Sequence, residues 1–208
     1  MNYVAIDTSS KNLIIVVCKD GETYSHFDSE CGVKHSDKIM VELERLIIKT
    51  NFNLKSADFI ACVTGAGSFT GIRIGVATVK AICFANNLPF VEVTAFDTIA
   101  YNKKDERVLA LIDAGHGGFY ACGYNKGSID LEPCYIMLDE VLKLSGDYKF
   151  LSFSEIKSVE TMIVSPLTGL IEAIKDKKDS KEINLDKLTP LYVRKSQAEE
   201  GRLWCLAF

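Results

Sequence analysis

Two short polar segments, each directly after an apolar stretch, carry residue types that could hold a phosphate group. They are Asp7-Thr8-Ser9 and Asp113-Ala114-Gly115. A phosphate approaches a backbone amide closely only where no side chain intervenes, so such tips usually read Asp-x-Gly. The second segment has this pattern, but Ser9 stands where the first would need glycine. The sequence therefore predicts vestigial phosphate tips at Asp7, Thr8, Ser9, Asp113 and Gly115. Alternatively, Asp7 only caps its turn.

The chain around the two tips indicates an internal duplication. Laying residues 4–21 over residues 110–127 aligns three features: Asp7 with Asp113, Leu13-Ile14 with Phe119-Tyr120, and Gly21 with Gly127. Each half then opens with an apolar strand, an Asp, a polar turn, a second apolar strand and a Gly turn. This order predicts an α/β chain with the duplicated fold of actin, Hsp70 and sugar kinases (the ASKHA fold), made of two RNase H-like domains. Two unrelated hairpins are the alternative.

The most polar break in the middle of the chain spans residues 101–107. Domain boundaries fall in such exposed polar linkers, so we predict an N-terminal domain over residues 1–104 and a C-terminal domain over residues 105–208, which ends in an extension.

A glycine-rich turn over residues 64–75 joins a predicted strand at residues 59–64 to a predicted helix at residues 71–86. A strand–turn–helix junction is a suitable setting for an anion site. The turn nevertheless lacks the glycine spacing of a dinucleotide fingerprint, the lysine of a Walker A loop and the flanking glycines of a nucleophile elbow. Its four glycines instead indicate tight backbone packing.

The helix after this turn is apolar on nearly all sides, and a first helix predicted at residues 36–49 shows the same excess more weakly. A helix that is apolar all round is buried all round, and this domain is too small to cover both helices. We therefore expect a partner protein on a surface that contains Ile39, Leu43, Ile47, Ile72, Gly75, Val76, Val79 and Cys83. The alternative is that the two helices cover each other.

Several function classes find no support in the composition. The 208 residues carry a net charge of −4, which does not favour a protein that binds nucleic acid unaided. The longest apolar run, Leu13–Cys18, is far shorter than the roughly 20 residues of a membrane span. The start of the chain has no signal-peptide pattern, and the seven cysteines are odd in number, so we expect a cytoplasmic protein with free thiols. The three histidines form no pair at helical spacing, so we expect no metal site.

Four segments together resemble the TsaB (YeaZ) family, which serves the bacterial machinery that makes threonylcarbamoyladenosine in tRNA and is related to the TsaD/Kae/Gcp glycoprotease-like family. In chain order they are Asp7-Thr8-Ser9, His35-Ser36, residues 67–75 and Pro190-Leu-Tyr-Val-Arg194. The sequence departs from the family at Gly115, where the family typically has arginine.

The resemblance implies a duplicated ASKHA fold and a non-catalytic subunit that binds and activates TsaD, with the ATPase TsaE as third member. It implies that the two N-terminal helices pair with the same helices of TsaD. Because a large bare apolar patch is unfavourable in water, we expect the chain alone to cover the same surface by forming a homodimer. We expect no cofactor for this chain, ATP or ADP only in the complex, and tRNA contact only through the complex. Two alternatives stay open: an ATP-dependent phosphotransferase of the sugar-kinase class, and a peptidase of the M22 type.

We predict that the chain alone does not bind tRNA in a salt-sensitive manner. Its net charge is −4, and electrostatic contact with phosphates needs a positive surface. The measurement is a filter-binding titration of tRNA at several salt concentrations. A complex of roughly micromolar affinity that weakens steeply with added salt would contradict the charge argument.

Overall fold

The computed structural model describes residues 1–194, including every side chain in that range except that of Val33. In this range there are ten β-strands and five α-helices. In chain order they are β1 (Tyr3–Asp7), β2 (Leu13–Lys19), β3 (Glu22–Asp28), α1 (His35–Thr50), β4 (Phe59–Val63), α2 (Phe69–Asn86), β5 (Phe90–Val93), α3 (Ala95–Ala100), β6 (Arg107–Gly115), β7 (Gly118–Asn125), β8 (Ser128–Met137), α4 (Leu138–Lys143), β9 (Lys149–Ser152), β10 (Met162–Ile163) and α5 (Pro166–Lys177).

The strands form two five-stranded sheets with the same internal order, which confirms the predicted duplicated α/β fold. The first sheet has the order β3-β2-β1-β4-β5 and the second β10-β9-β6-β7-β8. In each half the first strand therefore lies at the centre, antiparallel to the second strand and parallel to the fourth. We refer to β1–β5 with α1–α3 as the N lobe, and to β6–β10 with α4 and α5 as the C lobe.

The predicted alignment of the halves holds at its two ends but not between them. Asp20-Gly21 and Lys126-Gly127 form matching turns in which all four residues have positive φ. This is the turn geometry that two-residue hairpins favour. Asp7, however, pairs with Ile14, whereas Asp113 pairs with Phe119. The connection between the paired residues is one residue shorter in the second hairpin, 114–118 against 8–13, so Phe119 is the counterpart of Ile14 and not of Leu13.

Helices cover the sheets in layers. α1 and α2 cover the outer face of the first sheet, where their apolar side chains join those of β1, β2 and β4. α3 and α5 lie between the two sheets, and the core around them takes residues from both. α4 contributes Val141 to a third apolar cluster on the other face of the second sheet. The predicted boundary at residue 104 falls between the sheets, but the core of one lobe continues into the other. Residues 195–208 of the second predicted domain lie outside the described residues.

Close backbone contact fixes α2 against the first hairpin. Gly71 and Gly75 face Thr8, and a Cβ atom at Gly71 would overlap the carbonyl oxygen of Thr8. The Thr8 hydroxyl donates a hydrogen bond to the Gly71 carbonyl at 2.7 Å. The Ser68 side chain caps the helix by accepting from the Gly71 amide at 3.2 Å. The glycines of the turn therefore serve packing between backbones.

After α5 the chain returns to the N lobe and lies across it as a strap, residues 182–194. Glu182 pairs with Phe90 beside the open edge of β5, and Leu188 is fully buried in the core under α2. The Leu191 amide donates to the Thr64 carbonyl at 2.8 Å. The Tyr192 ring stacks on Phe69 with ring centroids 4.7 Å apart.

We predict that Gly71→Ala lowers the free energy of unfolding by about 2–3 kcal/mol, because overpacking against backbone costs more than the gain in helix propensity. The added Cβ would meet the Thr8 carbonyl. The measurement is urea denaturation. Gly146→Ala is the matched control, since its Cβ would meet no atom within 4 Å, and it should change stability by less than about 0.5 kcal/mol. Equal effects of the two substitutions would contradict the packing argument.

Candidate functional site

The two predicted phosphate tips adopt the same local structure. Asp7 Oδ1 accepts a hydrogen bond from the Ser9 amide at 2.8 Å, and Asp113 Oδ1 accepts one from the Gly115 amide at 2.8 Å. Each aspartate thus holds its own turn in an Asx arrangement. The amide two residues after each aspartate is the group that a phosphate would need, and in both tips it already has an acceptor. This geometry favours turn capping as the role of Asp7.

Asp7 and Thr8 are withdrawn from solvent. Both are buried, and the Thr8 hydroxyl donates its hydrogen bond to the Gly71 carbonyl of α2. Burial raises the pKa of the Asp7 carboxyl above its ordinary value, against the opposing effects of hydrogen bonding from Ser9 and of the nearby His35. A carboxylate placed in this way contacts the turn and not a ligand in solution.

A cleft of about 380 Å³ lies between the lobes, beside the tips. Of the five predicted tip residues, only Ser9 and Asp113 line it. The remaining lining is partly polar, from Ser10, Lys11, Gly67 and Ser68, and largely apolar, from Ala66, Ala95, Ile112, Ala114, Tyr120 and Phe153. Lys11 pairs with Glu30 at 3.2 Å. Gly115 lies at the exposed end of its hairpin, with open space around it.

Within residues 1–194, no group of three or more His, Cys, Asp and Glu side chains is placed to hold a metal ion. In the same range, no helix combines the length and apolar character that a membrane span needs. His35 begins α1, and its Nε2 lies 2.9 Å from the Asn12 carbonyl oxygen.

The predicted partner surface was assigned to the wrong face of the two helices. Its members, except Ile47, are buried within the N lobe: Ile39, Leu43, Ile72, Gly75, Val76, Val79 and Cys83. Val79 is 0% exposed, and burial raises the pKa of the Cys83 thiol to about 12. These side chains pack on the sheet, and Gly75 packs on Thr8. Because α2 is apolar nearly all round, its periodicity could not distinguish the face on the sheet from the face in solvent.

The face of α2 that points away from the sheet is also apolar. Arg73 and Thr70 flank it at one end, and its centre is formed by Ile74, Ala77, Ala81 and Phe84. Phe84 is 82% exposed, whereas Ile74 is half-buried. Small residues at positions 77 and 81 leave room for another helix to approach closely.

α1 extends this apolar face. Its exposed side carries Met40, Val41 and Ile48, the last of which is 72% exposed. A groove of about 380 Å³ lies beside it, lined by Met40, Val41, Leu43, Glu44, Ile47, Leu54 and Ile82. We call the apolar residues on the outward side of both helices, the half-buried Ile74 included, the outer helix face: Met40, Val41, Ile48, Ile74, Ala77, Ala81 and Phe84.

Phe69, Arg73 and Tyr192 form a cluster at the start of α2 that the sequence did not predict as a site. The Arg73 Nε donates to the Tyr192 hydroxyl at 2.6 Å, and the guanidinium lies over the rings of both Tyr192 and Phe69. Cation–π contact of this kind holds a side chain at a fixed place. The only sequence signal was that tyrosine and arginine occurred in the segments that carried the family resemblance.

Comparison with known proteins identifies relatives for this fold. A family model described as TsaD, tRNA N6-adenosine threonylcarbamoyltransferase, matches residues 29–164. The tRNA threonylcarbamoyladenosine biosynthesis protein TsaB of Escherichia coli K12 is 30% identical over 130 residues, which is 61% of this chain and 56% of that protein. TsaB of Bacillus subtilis 168 is 27% identical over 122 residues, 58% of this chain and 53% of its own length. The matched region thus spans just over half the length of these relatives.

Among solved structures, YeaZ from Pseudomonas aeruginosa superimposes with a TM-score of 0.72 at 20% identity, covering 92% of this chain and 99% of that one. A second Pseudomonas aeruginosa structure, described as similar to the peptidase YeaZ, gives a TM-score of 0.75 at 20% identity, over 93% of this chain and 99% of its own. At this level of identity, the likeness establishes a common fold.

We predict that the isolated chain does not hydrolyse ATP above background, because both tip amides are already bound by Asp7 and Asp113. Phosphate release in the presence of Mg-ATP measures this. Ser9→Gly restores the Asp-x-Gly pattern and should be equally inactive, since the amide at position 9 would still bond Asp7. Turnover by either protein near about 1 per second, within the usual range of enzymes, would show that the cleft is a working site.

Proposed function

Because the chain belongs to the TsaD family, among its TsaB (YeaZ) members, we propose that it is a non-catalytic subunit in the formation of threonylcarbamoyladenosine in tRNA. In this proposal it binds and activates TsaD, and TsaE is the third member of the complex. The names of the relatives support a role in the formation of threonylcarbamoyladenosine in tRNA. The outer helix face supports a role that consists of binding a partner protein.

The observation that carries the proposal is the exposed apolar surface of α1 and α2. Phe84 and Ile48 expose 82% and 72% of their surface, and each lies on a helix whose other side is already buried on the sheet. Large apolar side chains grouped on one surface are unfavourable in water and typical of protein–protein interfaces. A partner that brings two helices of its own would bury this face as a four-helix packing.

The state of the cleft agrees with a subunit that does not carry out the chemistry. Asp7 is buried, the Thr8 hydroxyl bonds α2, and both tip amides are used within their own turns. The phosphotransferase alternative needs two tips whose amides are free to bind phosphate, and in both tips the amide already bonds its own aspartate. We therefore propose that the chain needs no cofactor, and that ATP or ADP, and tRNA, bind only to the assembled complex.

In the absence of TsaD, we propose that a second copy of the chain binds to the outer helix face. The same apolar patch on each copy makes a two-fold contact self-complementary. The homodimer and the complex with TsaD would then exclude each other.

We predict that Phe84→Glu yields a folded monomer that no longer binds TsaD. An exposed aromatic anchor is typical of the residues that dominate an interface, and a carboxylate there would be buried without a partner. The expected loss of affinity is on the order of 100-fold. Size-exclusion chromatography, calorimetric titration with TsaD and thermal melting test it.

Phe27→Glu is the matched control. Phe27 is 46% exposed on β3, where its register neighbour Ile14 faces the core between the sheets and not the helices α1 and α2. This substitution should leave both the dimer and the complex intact. A folded Phe84→Glu protein that still binds TsaD as the wild type does would exclude the outer helix face as the site of contact.

A further inference from the structure

Asp97, in the first turn of α3, is one of the few charged side chains buried in the described chain, at 2% exposure. Part of its role is local. Its Oδ2 accepts from the Thr94 amide at 2.7 Å and from the Thr94 hydroxyl at 2.8 Å, while the Thr94 Oγ1 accepts from the Asp97 amide. This reciprocal capping box begins α3 and needs nothing from the other lobe.

The same carboxylate also receives two hydrogen bonds from the C lobe. The Tyr124 hydroxyl on β7 donates to Oδ1 at 3.0 Å, and the Lys177 ammonium at the end of α5 donates to Oδ2 at 2.5 Å. Desolvation raises the pKa of Tyr124 far above its ordinary value, so the hydroxyl keeps the proton that it donates. One buried charge on the N lobe thus depends on two donors from the other lobe.

A second set of contacts runs in parallel along the same two helices. The Tyr101 hydroxyl, one residue after α3, donates to Asp176 Oδ2 at 2.8 Å, and Lys104 also pairs with Asp176. The Asn102 side chain donates to the Ser165 carbonyl at 3.1 Å, at the start of α5. Both ends of α5 are therefore bonded to α3 or to the residues that follow it.

Backbone packing removes the remaining freedom between the helices. A Cβ atom at Gly169 would overlap the Thr98 carbonyl oxygen, so α5 touches the backbone of α3 directly. Leu170 and Ala173 of α5 and Ile99 of α3 are fully buried in the core between the sheets. A hinge motion of the lobes would have to slide α3 along α5, and this would expose the core and leave Asp97 with fewer donors in a desolvated place.

We propose that Asp97, Tyr124 and Lys177 form an interlobe latch that fixes the aperture of the cleft, so that the two lobes move as one body. The clefts of two-lobed enzymes commonly close around a ligand by hinge motion between domains. In this chain the cleft stays at one width whether or not ATP or a partner is present. The latch does not depend on the proposed function.

Hydrogen–deuterium exchange on the full chain, followed by mass spectrometry of its peptides, tests the latch. In the wild type, the amides of α3 and α5 should exchange as slowly as those of β1 and β4, because they open only when the whole chain unfolds. Addition of Mg-ATP should leave this pattern unchanged. Faster exchange of α3 and α5 than of the two strands in the wild type, or a change on adding Mg-ATP, would overturn the proposal.

Lys177→Gln removes the charged donor and should speed exchange in α3 and α5 by about tenfold or more relative to β1 and β4, as expected for the loss of a charge-assisted hydrogen bond. Lys175→Gln is the matched control, because Lys175 pairs with Glu172 on the surface of the same helix. Identical exchange in the two variants would overturn the latch.

A second pair keeps the test decisive if Lys177→Gln does not fold. Tyr124→Phe deletes the other donor without a change in shape, and Tyr148→Phe deletes a hydroxyl that bonds Asp130 within the C lobe. Only Tyr124→Phe should loosen α3 and α5. Equal exchange in both variants would also overturn the proposal.

Discussion

The arrangement of the N lobe depends on the contact between the backbone of the first hairpin and the backbone of α2. Gly67, Gly71 and Gly75 carry no Cβ atom at places where Ser9 and Thr8 leave no room for one. The Ser68 amide completes the contact by donating to the Ser9 carbonyl at 2.7 Å. This approach sets the height of α2 above the sheet, and with it which side of the helix is buried. The same contact uses the Thr8 hydroxyl and the Ser9 carbonyl of the first tip, so the position of the helix and the withdrawal of these groups from the cleft have one physical cause.

The duplication explains why the two halves share the hydrogen bonding of their hairpin turns. They differ in the helices that cover their outer sheet faces. Both first hairpins place an aspartate at the same point, and in both it bonds the amide two residues later. Only the N lobe carries two long helices on its outer sheet face; in the described C lobe the corresponding apolar cluster contains the six-residue α4. The surface that the proposed function uses therefore lies on the elements that the halves do not share, while the shared hairpins contribute to the cleft between them.

Much of the fold followed from local patterns, whereas the orientation of the helices did not. The aspartates, the Gly turns and the alternation of apolar strands predicted a duplicated α/β chain, because strand periodicity and turn chemistry are encoded within a few residues. The inner face of α2 was mistaken for its outer face, because Val76 and Ala77 differ in burial but hardly in polarity. The tip residues were predicted from their types, but the hydrogen bonds that occupy their amides depend on geometry. The strap and the Asp97 latch join residues distant in sequence, and no local signal identifies such pairs.

The strap gives the order of synthesis a physical consequence. Glu182, Leu188 and Leu191 complete the edge of β5, the core under α2 and the turn after β4, all of which belong to the first half of the chain. A ribosome makes these residues after the whole C lobe, so the N lobe cannot finish folding while the C lobe is still being synthesised. During that interval β5 presents an unpaired strand edge and the core beside it lacks Leu188, which are the features that attract other nascent chains. The protein thus differs from a chain of two independent units that fold one after the other, because its first lobe is closed by residues that follow the second lobe in sequence.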